Sequence, residues 1–405
     1  MIDSESSQFS DENQSVLSDV FFTSSSKSKA RKSSTELASN LVIKNKLSTN
    51  KAAVVCQSLS NSGVSIPTPS QSAVWKRVIK EGNRKAEKIK EFLSSSDEKF
   101  ALHFDGKKEN HTEYQVVLLS NPTRDFKLAV LSLPDGRSET IANAITNVLN
   151  DFQAWQSIFL MICDTTSVNS GLKNGVVVRL IREFVKRNLA GPSYIGCQHH
   201  ILDRCLRIVV DNELTENKTS PEISYDFINE LVTNYEEKYQ SQESFCSNLT
   251  NLGWRDDFKF LFELVEAFKQ KSLTGKNPVI HWRALPAMSN ARWNSRAILG
   301  LLAYFLLPIY QDTLTSICHF ISFSWSKFWF SDQKFNHESK RDLLETLKDH
   351  PKAKQTVQSH WSNKASIIDV PRTNRAAERC IKLMEDLLKK LSKRTLFKCK
   401  ICFIK

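Results

Sequence analysis

No run of eighteen or more uncharged apolar residues occurs in the 405-residue chain. That argues against a simple transmembrane helix, which needs about twenty. The most apolar stretch, AILGLLAYFLLPIY (297–310), is too short to cross a bilayer and reads as a buried helix. The opening MIDSESSQFSDENQ lacks the apolar core of a secretory signal. The nine cysteines form no paired framework, so a disulfide scaffold is not expected. A soluble protein with free thiols in a reducing, intracellular setting is expected instead.

What is present is an ordinary core and an excess of positive charge. The length suits one large domain or two smaller ones, and 40 % hydrophobic content is enough to fill an interior. The formal charge is +12, with a pI near 9.2, which suits a polyanionic partner. A ribosomal or membrane-surface role would carry the same charge.

Residues 1–36 are about one-third serine without apolar periodicity, the composition of a disordered tail. Within them KSKARKSS (27–34) is either a nuclear import signal or a solvated charge run. Residues 37–98 turn helical, with Val74, Val78 and Ile79 and then Ile89, Phe92 and Leu93 at helical spacing. They form either a small DNA-binding unit or a plain helical lead-in.

From residue 99 the pattern changes. KFALHFDG (99–106) alternates with period two, and EYQVVLLS (113–120) and FKLAVLSL (126–133) predict two more strands. SETIANAITNVLNDF (138–152) predicts a helix with Ser138 as its cap. SIFLMIC (157–163) predicts a fully buried strand, 171–189 a helix, SYIGC (193–197) a short strand and 199–212 another helix. The order β-β-β-α-β-α-β-α predicts an α/β fold: a mixed sheet with helices on both faces over 99–212. Residues 213–368 lack strand alternation and predict a helical insertion. Residues 369–394 predict a loop and a final helix, and 395–405 a basic tail.

Asp105 ends the first strand and Asp164 ends the apolar fourth strand. In a sheet of this order those strands are neighbours, so both carboxylates emerge at one edge. Two carboxylates at short range repel unless a cation lies between them, and hard oxygen donors select Mg²⁺ or Mn²⁺. Two such ions about 3.5–4 Å apart activate a water or hydroxyl and stabilise the leaving oxygen of a phosphodiester. A third acid is then needed, and Glu378 on the final helix is the candidate. The competing reading of Asp164 is an Asx-type turn with Thr166 or Ser167. Asp105, before a glycine, would simply start a turn, and Glu378 would lie on a solvated helix face.

These features, with five short motifs, resemble the RNase H-like catalytic domain of DNA transposases, and the hAT superfamily in particular. HFDGK (103–107) resembles the strand bearing the first acid, and CDTTSVNSG (163–171) the second acid with its tail. CQHH (197–200) is similar to the superfamily's Cys-x-x-His, and ARWNS (291–295) to its Arg-Trp-Asn-Ser signature. NRAAERCIKL (374–383) resembles the segment carrying the catalytic glutamate. The resemblance covers residues 99–391 and implies that Asp105, Asp164 and Glu378 ligate Mg²⁺ or Mn²⁺. The implied chemistry is strand cleavage by water, then attack of a 3′-hydroxyl on target DNA, in the nucleus.

Lys107, beside the first acid, and Arg379, beside the third, join Arg292, Trp293 and His200 as candidate DNA contacts. Arg292 would meet a phosphate. Trp293 would stack on a flipped base or pack in a core. Cys197 and His200 suit a packed, structural role better than zinc, because no second ligand pair is evident. Two departures stand out. No Cys-x-x-Cys…His finger of the BED type precedes residue 100, and the chain stops 27 residues after Glu378. The superfamily's dimerisation region normally follows the glutamate, so homo-oligomer assembly and catalysis are expected to be impaired. A catalytically silent, transposon-derived DNA-binding protein is the alternative.

Overall fold

The computed structural model describes residues 34–42, 49–64, 67–109, 112–216, 225–240, 256–276, 278–280, 282, 285, 294–330 and 337–361. They divide into two compact units. One holds the described residues up to Ser95 together with Lys127–Val130, and the other the remainder.

The first unit is helical: α1 (34–42), α2 (Thr49–Asn61) and α3 (Gln71–Ser95). Their apolar stripes meet in a small core of Ala38, Ala52, Cys56 and Val74. Three of these four side chains are small, so the unit rests on little buried area. Arg77 of α3 adds an ion pair to Glu81 one turn on and another to Glu36 of α1, at 3.1 and 3.6 Å.

The sheet has five strands: β1 (Phe100–Glu109), β2 (Thr112–Ser120), β3 (Asp125–Leu133), β4 (Ile158–Cys163) and β5 (Ser193–Gly196). Their order is β3-β2-β1-β4-β5. β1 runs antiparallel to β2, from Ala101 opposite Ser120 to Glu109 opposite Thr112. It runs parallel to β4, and β4 runs parallel to β5. The sheet is therefore mixed, as its element order predicts. Phe100 through Phe104 are all buried, as befits a central strand covered on both faces. The one imidazole among them, His103, shares a 2.6 Å hydrogen bond with Ser120 Oγ.

Between the strands lie α4 (Ser138–Asp151), a single turn α5 (Ser167–Ser170) and α6 (Val176–Lys186). α4 buries Ile141, Ile145, Val148 and Leu149. Ser138 is not its cap. The extended residue before the helix is Arg137, and Asp135 supplies the acceptor by taking the Arg137 amide at 3.0 Å and a bond from Thr140. The helix expected over 171–189 also starts late. Residues 164–175 are taken up by a turn, α5 and a glycine-bounded loop, and Asn188 leaves the helix at a φ of 58°.

α7 (Gln198–Glu213) is the hinge of the architecture. Eleven of its sixteen residues are buried, more than a single apolar stripe explains. One side packs on Ala101, Leu160, Ile162 and Ile195 of the sheet. The rest joins a continuous core with α8 (Asp226–Gln240), α9 (Asp256–Thr274), α10 (Ser295–Leu306), α11 (Gln311–His319), α12 (Ser326–Phe330), α13 (His337–Thr346) and α14 (Pro351–His360). A π-helical turn, Phe320–Trp325, links α11 to α12. The buried helix predicted over 297–310 holds only in part: it stops at Leu306, before Pro308, and Pro308 and Ile309 are exposed. Among the described residues no single helix is long and apolar enough to cross a membrane.

Candidate functional site

The β1–β4 register places Ala101 opposite Leu160, Leu102 opposite Met161 and His103 opposite Ile162. Two further rungs bring Asp105 level with Asp164, the first residue past β4. Neighbouring strands lie about 4.8 Å apart, and alternate residues share a face. Asp105 therefore lies on the face of Ala101 and His103, while Asp164 follows directly on the last residue of β4. Only Asp164 stands at the carboxyl end of its strand: β1 does not end at Asp105 as expected but runs on to Glu109, because the polar residues 106–109 keep their ladder with β2.

Asp105 is 4 % exposed, and its Oδ1 accepts the amide of Gly106 at 3.0 Å. Asp164 is half-buried and closes an Asx turn. Its Oδ1 accepts the Thr166 amide at 3.0 Å, the Thr166 hydroxyl at 2.8 Å and Asn169 Nδ2 at 2.8 Å. Among the described residues nothing donates to its Oδ2. The Tyr194 hydroxyl donates to the Asp164 carbonyl at 3.3 Å, and burial pushes that phenol well above its usual range. The neighbouring Cys163 thiol is also pushed far up, first by burial, then by the charge of Asp164 and, more weakly, of Asp105. One thiol thus feels both carboxylates.

The loop after Asp164 is tight. The Gly175 amide donates to Gly171 O at 2.9 Å. A Cβ at Gly175 would stand 2.6 Å from the Gly171 backbone and 2.8 Å from Asn169 O. Only glycine allows that approach, and it holds Asn169 beneath Asp164.

Cys197 is fully buried at the start of α7, and its amide donates to Cys163 O at 2.8 Å, tying that helix to the end of β4. His200 is 8 % exposed, in the packing of the first turn rather than open to a phosphate as a DNA contact would be. His199 beside it packs 4.8 Å from the Trp329 ring. Lys107 is half-buried, two rungs beyond Asp105 on the same strand face. Glu378, Arg379, Arg292 and Trp293 lie outside the described residues, as does the final helix expected over 369–394. Asn169, Thr166 and Tyr194 complete the surroundings of Asp164. Of these, only the Asp-x-Thr spacing of an Asx turn was a sequence signal.

Two carboxylates at one rim, one of them with an oxygen that no described residue engages, fit a hard divalent cation that keeps several waters. Among the described residues no group of three or more His, Cys, Asp or Glu converges, so a two-ion site would need a further acid. Compared with known proteins, no family model matches this chain, and no curated protein matches it.

Proposed function

We propose that the chain is a hAT-like, RNase H-like transposase domain acting on DNA in the nucleus. Its activity would be metal-dependent strand cleavage and transfer through Asp105, Asp164 and Glu378. The observation that supports this reading is the parallel pairing of β1 with β4, which, continued two residues past its last pair, sets Asp105 beside Asp164, 59 residues on in sequence. The strand order β3-β2-β1-β4-β5 and the helical block after α7 support the RNase H-like assignment. When bound, Mg²⁺ or Mn²⁺ would activate a water or 3′-hydroxyl and offset charge on the leaving oxygen. The chain's own part is to hold the carboxylates at a rigid rim and to track the phosphates with its positive excess.

A second reading has its own observation. The Asx turn gives Asp164 a structural task that needs no cation, as in a silent DNA-binding descendant. Incubating the full chain with supercoiled plasmid and Mn²⁺ separates the two. Nicking that disappears in Asp164→Ala and in Asp105→Ala is the expected result. Nicking unaffected by either change overturns the assignment, and salt-sensitive DNA retention without nicking selects the silent form.

A further inference from the structure

We infer that Asn169, together with Thr166, clamps Oδ1 of Asp164 so that Oδ2 alone faces a divalent cation. Asn169 is thus a positioning residue of the proposed site. This rests on the reading of Asp164 as a metal ligand. A carboxylate oxygen has about two lone-pair directions, and Oδ1 already receives three donors. The two from Thr166 are local and close the turn. The third comes from a side chain five residues on, held in α5 and 6 % exposed.

A carboxylate only accepts, so the Asn169 amide nitrogen must face Asp164 and its carbonyl oxygen must point elsewhere. That oxygen is buried and meets no donor among the described residues. An unpaired buried acceptor costs about 1–3 kcal/mol, and a turn alone gives no reason to keep one beside a carboxylate. Asn169 would hold the proposed ligand through its nitrogen. Such outer partners typically change metal affinity 10- to 100-fold.

The test uses the full chain and Mn²⁺ alone, with affinity read from water-proton relaxation and folding from the metal-free melting transition. Asn169→Ala should keep the melting transition and weaken Mn²⁺ about 10- to 100-fold. Thr166→Val should weaken it less, and Thr166→Ser should stay near the unaltered chain. A folded Asn169→Ala with unchanged affinity, while Asp164→Asn loses binding, overturns the clamp and leaves the metal site standing. If Asn169→Ala does not fold, unchanged affinity in Thr166→Val does the same. Mn²⁺ binding that neither Asp164→Asn nor Asp105→Asn weakens, or no binding at all, overturns the metal reading itself.

Discussion

Asn169 and Gly175 have no distinctive local pattern, yet they decide how Asp164 is held. Gly175 lies close against the Gly171 backbone and the Asn169 carbonyl, so its value comes from space rather than from an unusual dihedral. Gly175→Ala should destabilise the chain by about 1–3 kcal/mol, because backbone must shift to admit a methyl group. A denaturant midpoint equal to that of the unaltered chain would show that the loop yields freely. In sequence, GLKNG reads as the start of a helix, since the approach that requires glycine involves atoms of two separate turns.

The elements show a different balance. The helix α4 and the alternation of β1 follow from local periodicity, whereas α6 begins five residues later than expected. α7 does not follow from periodicity, because it is enclosed by the sheet and by the helical block. Enclosure forces its polar groups to find partners. Asp203 accepts Arg296 of α10 at 2.8 Å, both nearly buried, and Asp211 accepts the Tyr225 hydroxyl at 2.6 Å. Trp325 Nε1 donates to Leu202 O at 2.9 Å. Arg296→Met alone would strand a buried carboxylate and should cost about 3–5 kcal/mol, whereas adding Asp203→Leu should recover most of it. A double-mutant cycle in urea measures this, and additive losses would deny the coupling. Nothing local distinguished Asp203 from the exposed acids of other helices.

At the scale of the whole molecule, α14 and the residue after it close onto β5. Trp361 Nε1 donates to Gly196 O at 2.9 Å, and Arg204 donates to His360 Nε2 at 3.4 Å. That bond needs a neutral imidazole. Burial first, and then the Arg204 charge, lower the His360 pKa from 6.5 to about 4. The unfolded chain therefore binds the proton more readily, and stability is full above about 6.5 and declines as pH falls toward 4. The melting temperature should drop across that window, and drop less in His360→Gln; identical profiles would remove His360 as the cause. The net charge of +12 belongs to the same scale. DNA retention should weaken linearly in log affinity against log salt, and salt-independent retention would exclude phosphate tracking.

Residue order alone determined the succession of strands and helices, the positive balance and the acid where β4 ends. Each is a local property: periodicity records which side of a segment meets apolar surroundings, although β1 runs past its apolar residues to Glu109 because β2 pairs with it there. The sequence also led us to expect β1 beside β4. Tertiary structure decided the register that levels Asp105 with Asp164, the enclosure of α7 and the turn that brings Asn169 under a carboxylate. These depend on which distant segments pack together, a choice made by the whole core and written in no single stretch of the chain.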